Sequence, residues 1–194
     1  MTTPRVHEHG IFLDGSYGVG KSSTLDHLSD LFAEHDLPFS LFDVDWFHRS
    51  WPPAADDPRN VLTEAENIRA VWDNYRSVGP RTPLFAGVIT DAVDRARYEE
   101  CVGLPLRIVH LTASPEIAEQ RLRGRYSAVQ QRALDWHLAD HRRLARDLDA
   151  ALDYDLVVDT DDLDPSEVAA IVFDRFVTGR PAPQATLPSR IPEE

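Results

Sequence analysis

Lysine is almost absent from this chain: one occurs in 194 residues, Lys21, and the other nineteen Lys and Arg positions are all arginine. Cysteine is equally scarce. The lone Cys101 has no partner for an internal disulfide and no companion thiol for a zinc site, which fits a reducing compartment and leaves Cys101 a packing or surface role. No run approaches the roughly 18 apolar residues that a membrane span requires, and the opening MTTPRVHEHG has no apolar signal core. The expected localisation is cytoplasmic. Positive charge is also in deficit. A formal net charge of -13 opposes binding to a nucleic-acid polymer or an anionic membrane, because both gain affinity from basic patches. Any phosphate chemistry must use a few local cations.

What is present is a regular alternation. Apolar runs at 10–13, 39–44, 84–89, 106–111 and 155–158 predict five buried strands. Between them lie helical patterns, at Leu25, Leu28, Leu31 and Phe32, and at Ala65, Ile68, Trp72 and Tyr75 after a Thr63-x-x-Glu66 capping box. Ser114-Pro115-Glu116 and Asp164-Pro165-Ser166-Glu167 predict two more helix starts, each with proline at the first helical position. Alternating strands and helices imply an α/β fold, a parallel sheet covered on both faces. A length of 194 residues with 42% hydrophobic composition suits one domain, expected over residues 1–178. The polar segment 123–135 is the expected lid. The stretch 179–194 carries four prolines and is expected to be a disordered tail.

The segment Gly15-Ser16-Tyr17-Gly18-Val19-Gly20-Lys21-Ser22 fits G-x-x-x-x-G-K-[ST], directly after one predicted strand and before a predicted helix. Around a single lysine, this pattern arises by chance on the order of 1 in 4,000 times. Its glycines let backbone amides turn toward phosphate oxygens, and the following helix offers its positive end. The ammonium of Lys21 is a compact charge that fits between the β- and γ-phosphates, where a broad guanidinium would clash. This accounts for one lysine among so many arginines. Ser22 is the expected Mg²⁺ ligand, and Ser23 adds a further hydroxyl to the nucleotide site.

Other segments narrow the chemistry. No second lysine exists for the N-K-x-D segment with which GTPases read guanine. DLVVDTDD (155–162) superficially resembles the acidic strand end of a motor ATPase, but only one helical pattern follows it. FDVDWFHRSW (42–51) places Asp43 and Asp45 two apart, on one side if the strand persists. Asp45 is favoured as hydroxyl orienter or general base and Asp43 as metal ligand, with the two interchangeable. Both carboxylates and Arg49 are candidate acceptor contacts, and the aromatics around Arg49 are either core or acceptor wall. Arg121, Arg123 and Arg125 lead into the expected lid. Arg121 and Arg125 share a face if the helix continues through Gly124, and both are candidates to stabilise charge on transferred phosphate. His137 and His141 have helical spacing but no zincin glutamate between them, and are expected to be surface or lid histidines.

With these segments in hand, the chain resembles the P-loop small-molecule kinases, the superfamily of shikimate, gluconate and adenylylsulfate kinases and chloramphenicol phosphotransferase. The resemblance spans about residues 10–177 and rests on GSYGVGKS, FDVDWFHR, LTASPEIAEQRLRGR and YDLVVDTDDLDPSEVAAIV. It implies a five-stranded parallel sheet in order 2-3-1-4-5, ATP with Mg²⁺ as cofactors, an adenine site at Thr160–Pro165 and the lid entry, and Asp45 meeting a small-molecule acceptor. The third strand ends LFAGVITD and lacks the D-G-[FY]-P-R segment of adenylate kinases, which disfavours a nucleotide acceptor and leaves Thr90 and Asp91 to line the acceptor pocket. The expected activity is phosphoryl transfer from ATP to a small hydroxylated acceptor. A nucleoside or nucleotide kinase and a slowly hydrolysing ATP-binding regulatory module are the alternatives.

Overall fold

The computed structural model describes residues 8–179. The five apolar runs become five parallel strands: β1 (Gly10–Asp14), β2 (Phe39–Asp43), β3 (Thr82–Ala86), β4 (Leu106–Thr112) and β5 (Leu156–Asp159). They lie in the order β2-β3-β1-β4-β5, as expected, with Phe12 of β1 facing Phe85 on one side and Ile108 on the other. Among the described residues five α-helices connect them, α1 (Lys21–Glu34), α2 (Val61–Arg76), α3 (Ala92–Val102), α4 (Pro115–Arg125) and α5 (Gln131–Leu148), and α6 (Pro165–Phe173) follows β5. No helix among the described residues is long and apolar enough to cross a membrane.

Successive side chains on a strand point to opposite faces, and the core divides accordingly. Ile11, Leu13, Leu84, Ala86, Val109 and Leu111 pack beneath α1 and α6, with Leu25, Leu28, Phe32, Val168 and Val172. Phe12, Phe85 and Ile108 pack the other way, against Ile68 and Trp72 of α2 and Tyr98 and Val102 of α3. On that face Phe85 stacks between Phe12 and Phe42, at 5.5 and 4.9 Å. Buried central strands have no polar alternation, which is why they read as continuous apolar runs.

Helices depart from expectation in three places. First, α2 begins at Val61, ahead of the Thr63-Glu66 box. Asp57 in the preceding turn accepts from Val61 N at 2.7 Å and from Thr63 N at 2.9 Å. One carboxylate thus takes two first-turn amides and displaces the threonine as cap. Second, α3 has no strong sequence signal because only Tyr98, Cys101 and Val102 of it are buried. The Asp91 side chain starts it by accepting from Val93 N and Asp94 N. Third, the expected lid at 123–135 is largely helical: α4 runs through Gly124 to Arg125 and α5 resumes at Gln131. A wider turn, Asp174–Thr178, follows α6 and ends at Gly179; the remainder of the expected tail lies outside the described residues.

The long connection from β2 to α2 is pinned from below. Glu64, only 8% exposed, accepts from Tyr98 Oη at 2.6 Å and pairs with His48 Nδ1 at 2.7 Å. Asn60 Nδ2 donates to the carbonyls of His48 and Ser50. Burial and the neighbouring Glu64 charge together push the Tyr98 phenol far above its ordinary range, so it remains a donor. Tyr98→Phe should destabilise the protein by about 1–3 kcal/mol, because Glu64 then keeps a desolvated oxygen with one bond fewer. Thermal unfolding checks this: a Tm lowered by about 2–4 °C per kcal/mol is expected, and an unchanged Tm would show that the bond contributes nothing.

Candidate active site

The loop after β1 and the ends of β2, β3 and β5 converge on one cavity of about 570 Å³. This is the carboxyl-terminal edge of the sheet, where ligands of open α/β folds bind. Residues Ser16, Tyr17, Gly18, Val19, Gly20, Lys21, Ser22 and Ser23 all line it. Gly15 does not, but its carbonyl accepts from Lys21 Nζ at 2.7 Å, and Ser16 O accepts from the same amine at 2.9 Å. The ammonium is thus folded back over its own loop. Burial lowers the Lys21 pKa, while Asp14, Asp45 and Asp43 pull it back up, in that order.

The loop is shaped by what lies behind it. At Gly15 φ is +147°, and a Cβ there would sit 2.4 Å from Leu111 O. At Gly18 φ is +84°, and a Cβ would meet Ala118 O at 2.6 Å. Backbone cannot yield as a side-chain tip can. Gly15→Ala should therefore cost about 1–3 kcal/mol through overpacking alone, read as a lowered urea midpoint with an unchanged slope; an unaltered midpoint would contradict the close approach. Gly20 caps α1 with φ 96° and offers no side-chain acceptor, and the first turn carries no acid. The helix's positive end is left to attract an anion in the cavity.

Asp43 and Asp45 both line the cavity, but not through a persistent strand. β2 ends at Asp43, and a single 3₁₀ turn, Val44–Trp46, carries Asp45 onward. Ser22 Oγ donates to Asp43 Oδ2 at 2.8 Å. Arg49 also lines the cavity, its guanidinium 4.8 Å above the Trp46 ring. The aromatic cluster divides: Phe47 packs against the core, whereas Trp46 and Trp51 are 70% and 88% exposed.

Of the three arginines on α4, Arg121 and Arg125 line the cavity. Arg123 turns outward to Glu119 at 3.6 Å and is not part of the site. Arg121 forks onto Thr160, donating to its hydroxyl at 2.9 Å and its carbonyl at 2.6 Å. Thr160 Oγ1 in turn lies 2.9 Å from Thr112 O and 3.3 Å from Val19 O. Thr160 thereby ties the loop after β5 to the phosphate loop and, with Leu163, Pro165 and Val168, lines one end of the cavity.

Thr90 is not brought into the cavity. Its hydroxyl donates to Asp94 and its neighbour Asp91 caps α3, so both polar groups are used to start a helix. Ala86, Gly87 and Val88 line that wall instead. Asn67 of α2 donates to Phe47 O at 2.8 Å.

Three contributors were not legible beforehand. Asp14 is fully buried at the end of β1, accepting from Ile89 N at 2.9 Å and facing His110 Nδ1 at 3.1 Å. Its signal was an acid closing an otherwise apolar strand. Tyr126 and His137 come from the far side of the helical hairpin and line the cavity together. The Tyr17 ring meets His137 edge-on at 4.6 Å, and its hydroxyl pKa is pushed up to about 12, chiefly by burial and then by the Asp140 and Asp45 charges. Tyr17 is therefore a neutral donor at physiological pH. His141 is buried rather than at the surface, with 2% exposure, because it packs between α4 and the phosphate loop: its ring faces Glu119 and its carbonyl accepts from Ser16 Oγ at 2.9 Å. Among the described residues no group of three or more His, Cys, Asp and Glu could hold a metal ion. The oxygen pair of Ser22 and Asp43 fits a hard cation that keeps waters and phosphate oxygens as its other ligands.

No protein-family model matches the chain, and no curated protein matches it in sequence. Solved structures do match it in fold. APE1195 is 17% identical with a TM-score of 0.61, over 90% of this chain and 98% of that one. A sugar kinase from Janibacter sp. HTCC2649 is 18% identical with a TM-score of 0.57, over 88% and 96%. The Mycobacterium tuberculosis APS kinase CysC, in complex with AMPPNP and APS, is 19% identical with a TM-score of 0.57, over 89% and 98%. The likeness is one of architecture: this chain has the fold of the P-loop small-molecule kinases.

Proposed function

We propose that the protein is an ATP-dependent phosphotransferase that moves the γ-phosphate of ATP to a hydroxyl of a small acceptor. One observation supports this reading above the others. A phosphate loop with its lysine, a hydroxyl-carboxylate pair and a second carboxylate share one cavity, which also has a cationic wall. A slowly hydrolysing module needs the loop but has no use for Asp45 and Arg49 beyond it.

In this reading the amides from Gly15 to Ser23 and the positive end of α1 bind the phosphates, and Lys21 leaves its loop carbonyls for the β- and γ-oxygens. Ser22 and Asp43 would hold a magnesium ion, directly or through water, which when bound would supply neutralising charge to the phosphate oxygens. Thr160, Leu163, Pro165 and Val168 receive the adenine, and Arg121 fixes that wall. Asp45 orients the acceptor hydroxyl and takes its proton as the new oxygen–phosphorus bond forms and ADP departs with the electrons of the broken one. Arg125 closes on the transferred group, and Arg49 faces the acceptor. Catalysis of this kind is positioning and electrostatics, with little covalent work for the protein.

The test is ³¹P-detected turnover across a panel of sugars, sugar acids, nucleosides and antibiotics, with Lys21→Ala protein as blank. One acceptor class should raise ADP release well above the acceptor-free rate. Hydrolysis indifferent to every acceptor would instead mark a nucleotide-binding module.

A further inference from the structure

Behind the phosphate loop lies a second cavity of about 330 Å³, which shares only Ser16, Tyr17 and Val19 with the first. Its other walls are the end of β4, the first turn of α4 and one face of α5. Val19, Leu111, Ala118 and Ala145 make the hollow apolar, and His110, His141, Arg142 and Arg146 give it a cationic edge. A hollow of this size, mostly apolar with a few convergent polar groups, has the make-up of a small-ligand site.

The cations at that edge are not equivalent. Arg142 is neutralised by Glu119 at 2.6 Å, and His141 faces the same carboxylate at 3.3 Å. His110 lies between Asp14 at 3.1 Å and Asp149 at 3.4 Å, with its ring stacked on Tyr154. Arg146 alone among these cations has no hydrogen bond or ion pair to any described residue. Asp149 also lines this cavity, its carboxylate 3.4 Å from His110 Nε2; in a chain with 33 acidic residues, a guanidinium that pairs with no described carboxylate at the rim of an apolar hollow is a place for an external anion.

We infer that this second cavity is an effector site for a small amphipathic monoanion, a carboxylate on a compact apolar body, with the carboxylate on Arg146 and the body in the hollow. Two links join it to the phosphate loop. Ser16 Oγ donates to His141 O across the cavity wall. His110 holds Asp14, which immediately precedes Gly15 and also accepts from Ile89 N beyond β3. An occupant that moves α5 or His110 changes the loop, and a ligand on the loop changes the occupant's affinity by the same factor. The inference concerns a site distinct from the proposed nucleotide position and stands whether or not the acceptor reading does.

Benzoate is a suitable probe, followed by ¹⁵N–¹H spectra of the whole chain without nucleotide. The amides of Ser16, Val19, Leu111 and Ala145 should shift together and saturate, with a Kd on the order of 1 mM for so small a ligand. Arg146→Gln should weaken binding about tenfold while leaving the fold intact, since Arg146 is exposed and has no partner among the described residues. Ala145→Phe, which fills the hollow, should abolish saturation. Added ATP should shift the benzoate Kd without displacing it. Shifts that never saturate, that map elsewhere, or that are indifferent to Arg146→Gln overturn the site. Because the titration is read without nucleotide, a failure of ATP to bind would count against the phosphotransferase reading and leave the benzoate result standing.

Discussion

Lys21→Arg should lose phosphoryl transfer nearly as completely as Lys21→Ala, with kcat reduced by about 10²–10³-fold in each. The positive charge survives the first substitution, so charge alone predicts a mild effect. Shape predicts a severe one. The amine sits 2.7 and 2.9 Å from two carbonyls of its own loop, and that loop is held from behind where Gly15 and Gly18 approach Leu111 and Ala118. A planar guanidinium is broader than an ammonium, and a loop backed in this way cannot retreat to seat it against the phosphates. Steady-state rates of both variants with the acceptor found by screening provide the check. Retained activity in Lys21→Arg would show that the loop tolerates the larger head group and would remove the steric account of the single lysine.

Asp45→Asn should be the next most damaging change, lowering kcat by about 10²–10⁴-fold with little effect on ATP affinity. The amide preserves size and one acceptor oxygen but cannot take the hydroxyl proton. Asp43→Asn should behave differently. Asp43 is the acid bonded to Ser22, so its loss should raise the magnesium concentration needed for half-maximal rate before it lowers the maximum. A magnesium titration of both variants separates the roles. Should the two exchange behaviours, Asp43 is the base and Asp45 the metal ligand; equal, small effects in both would mean that neither carboxylate takes part.

The phosphate loop was legible because every part of it is local: glycines, one amine and one hydroxyl lie within eight residues, between an apolar run and an amphipathic one. The strand order was not visible in periodicity and came with the family resemblance. Asp43 and Asp45 were placed in one site by strand alternation, and they do meet in one cavity, but by another route, since the chain turns at Val44. Thr90 looked suitable by chemistry alone. The competing demand of α3 for a capped start takes its hydroxyl to Asp94, and the bare backbone of Gly87 lines the wall instead. Tyr126 could not be read at all, and His137 only as a surface or lid histidine, because their place beside Tyr17 depends on how the α4–α5 hairpin folds back over the site. The same long-range packing buries His141 beneath Ser16. Sequence periodicity can locate helices but does not report which of them folds over the site.

The account rests on the loop holding a triphosphate, and calorimetric titration of magnesium-ATP into the wild-type protein and Lys21→Ala tests that most directly. One saturable site in the wild type is expected, weakened by tenfold or more in the variant, as befits loss of a charge-assisted contact. No heat of binding in the wild type, or equal affinity in the two proteins, would contradict it.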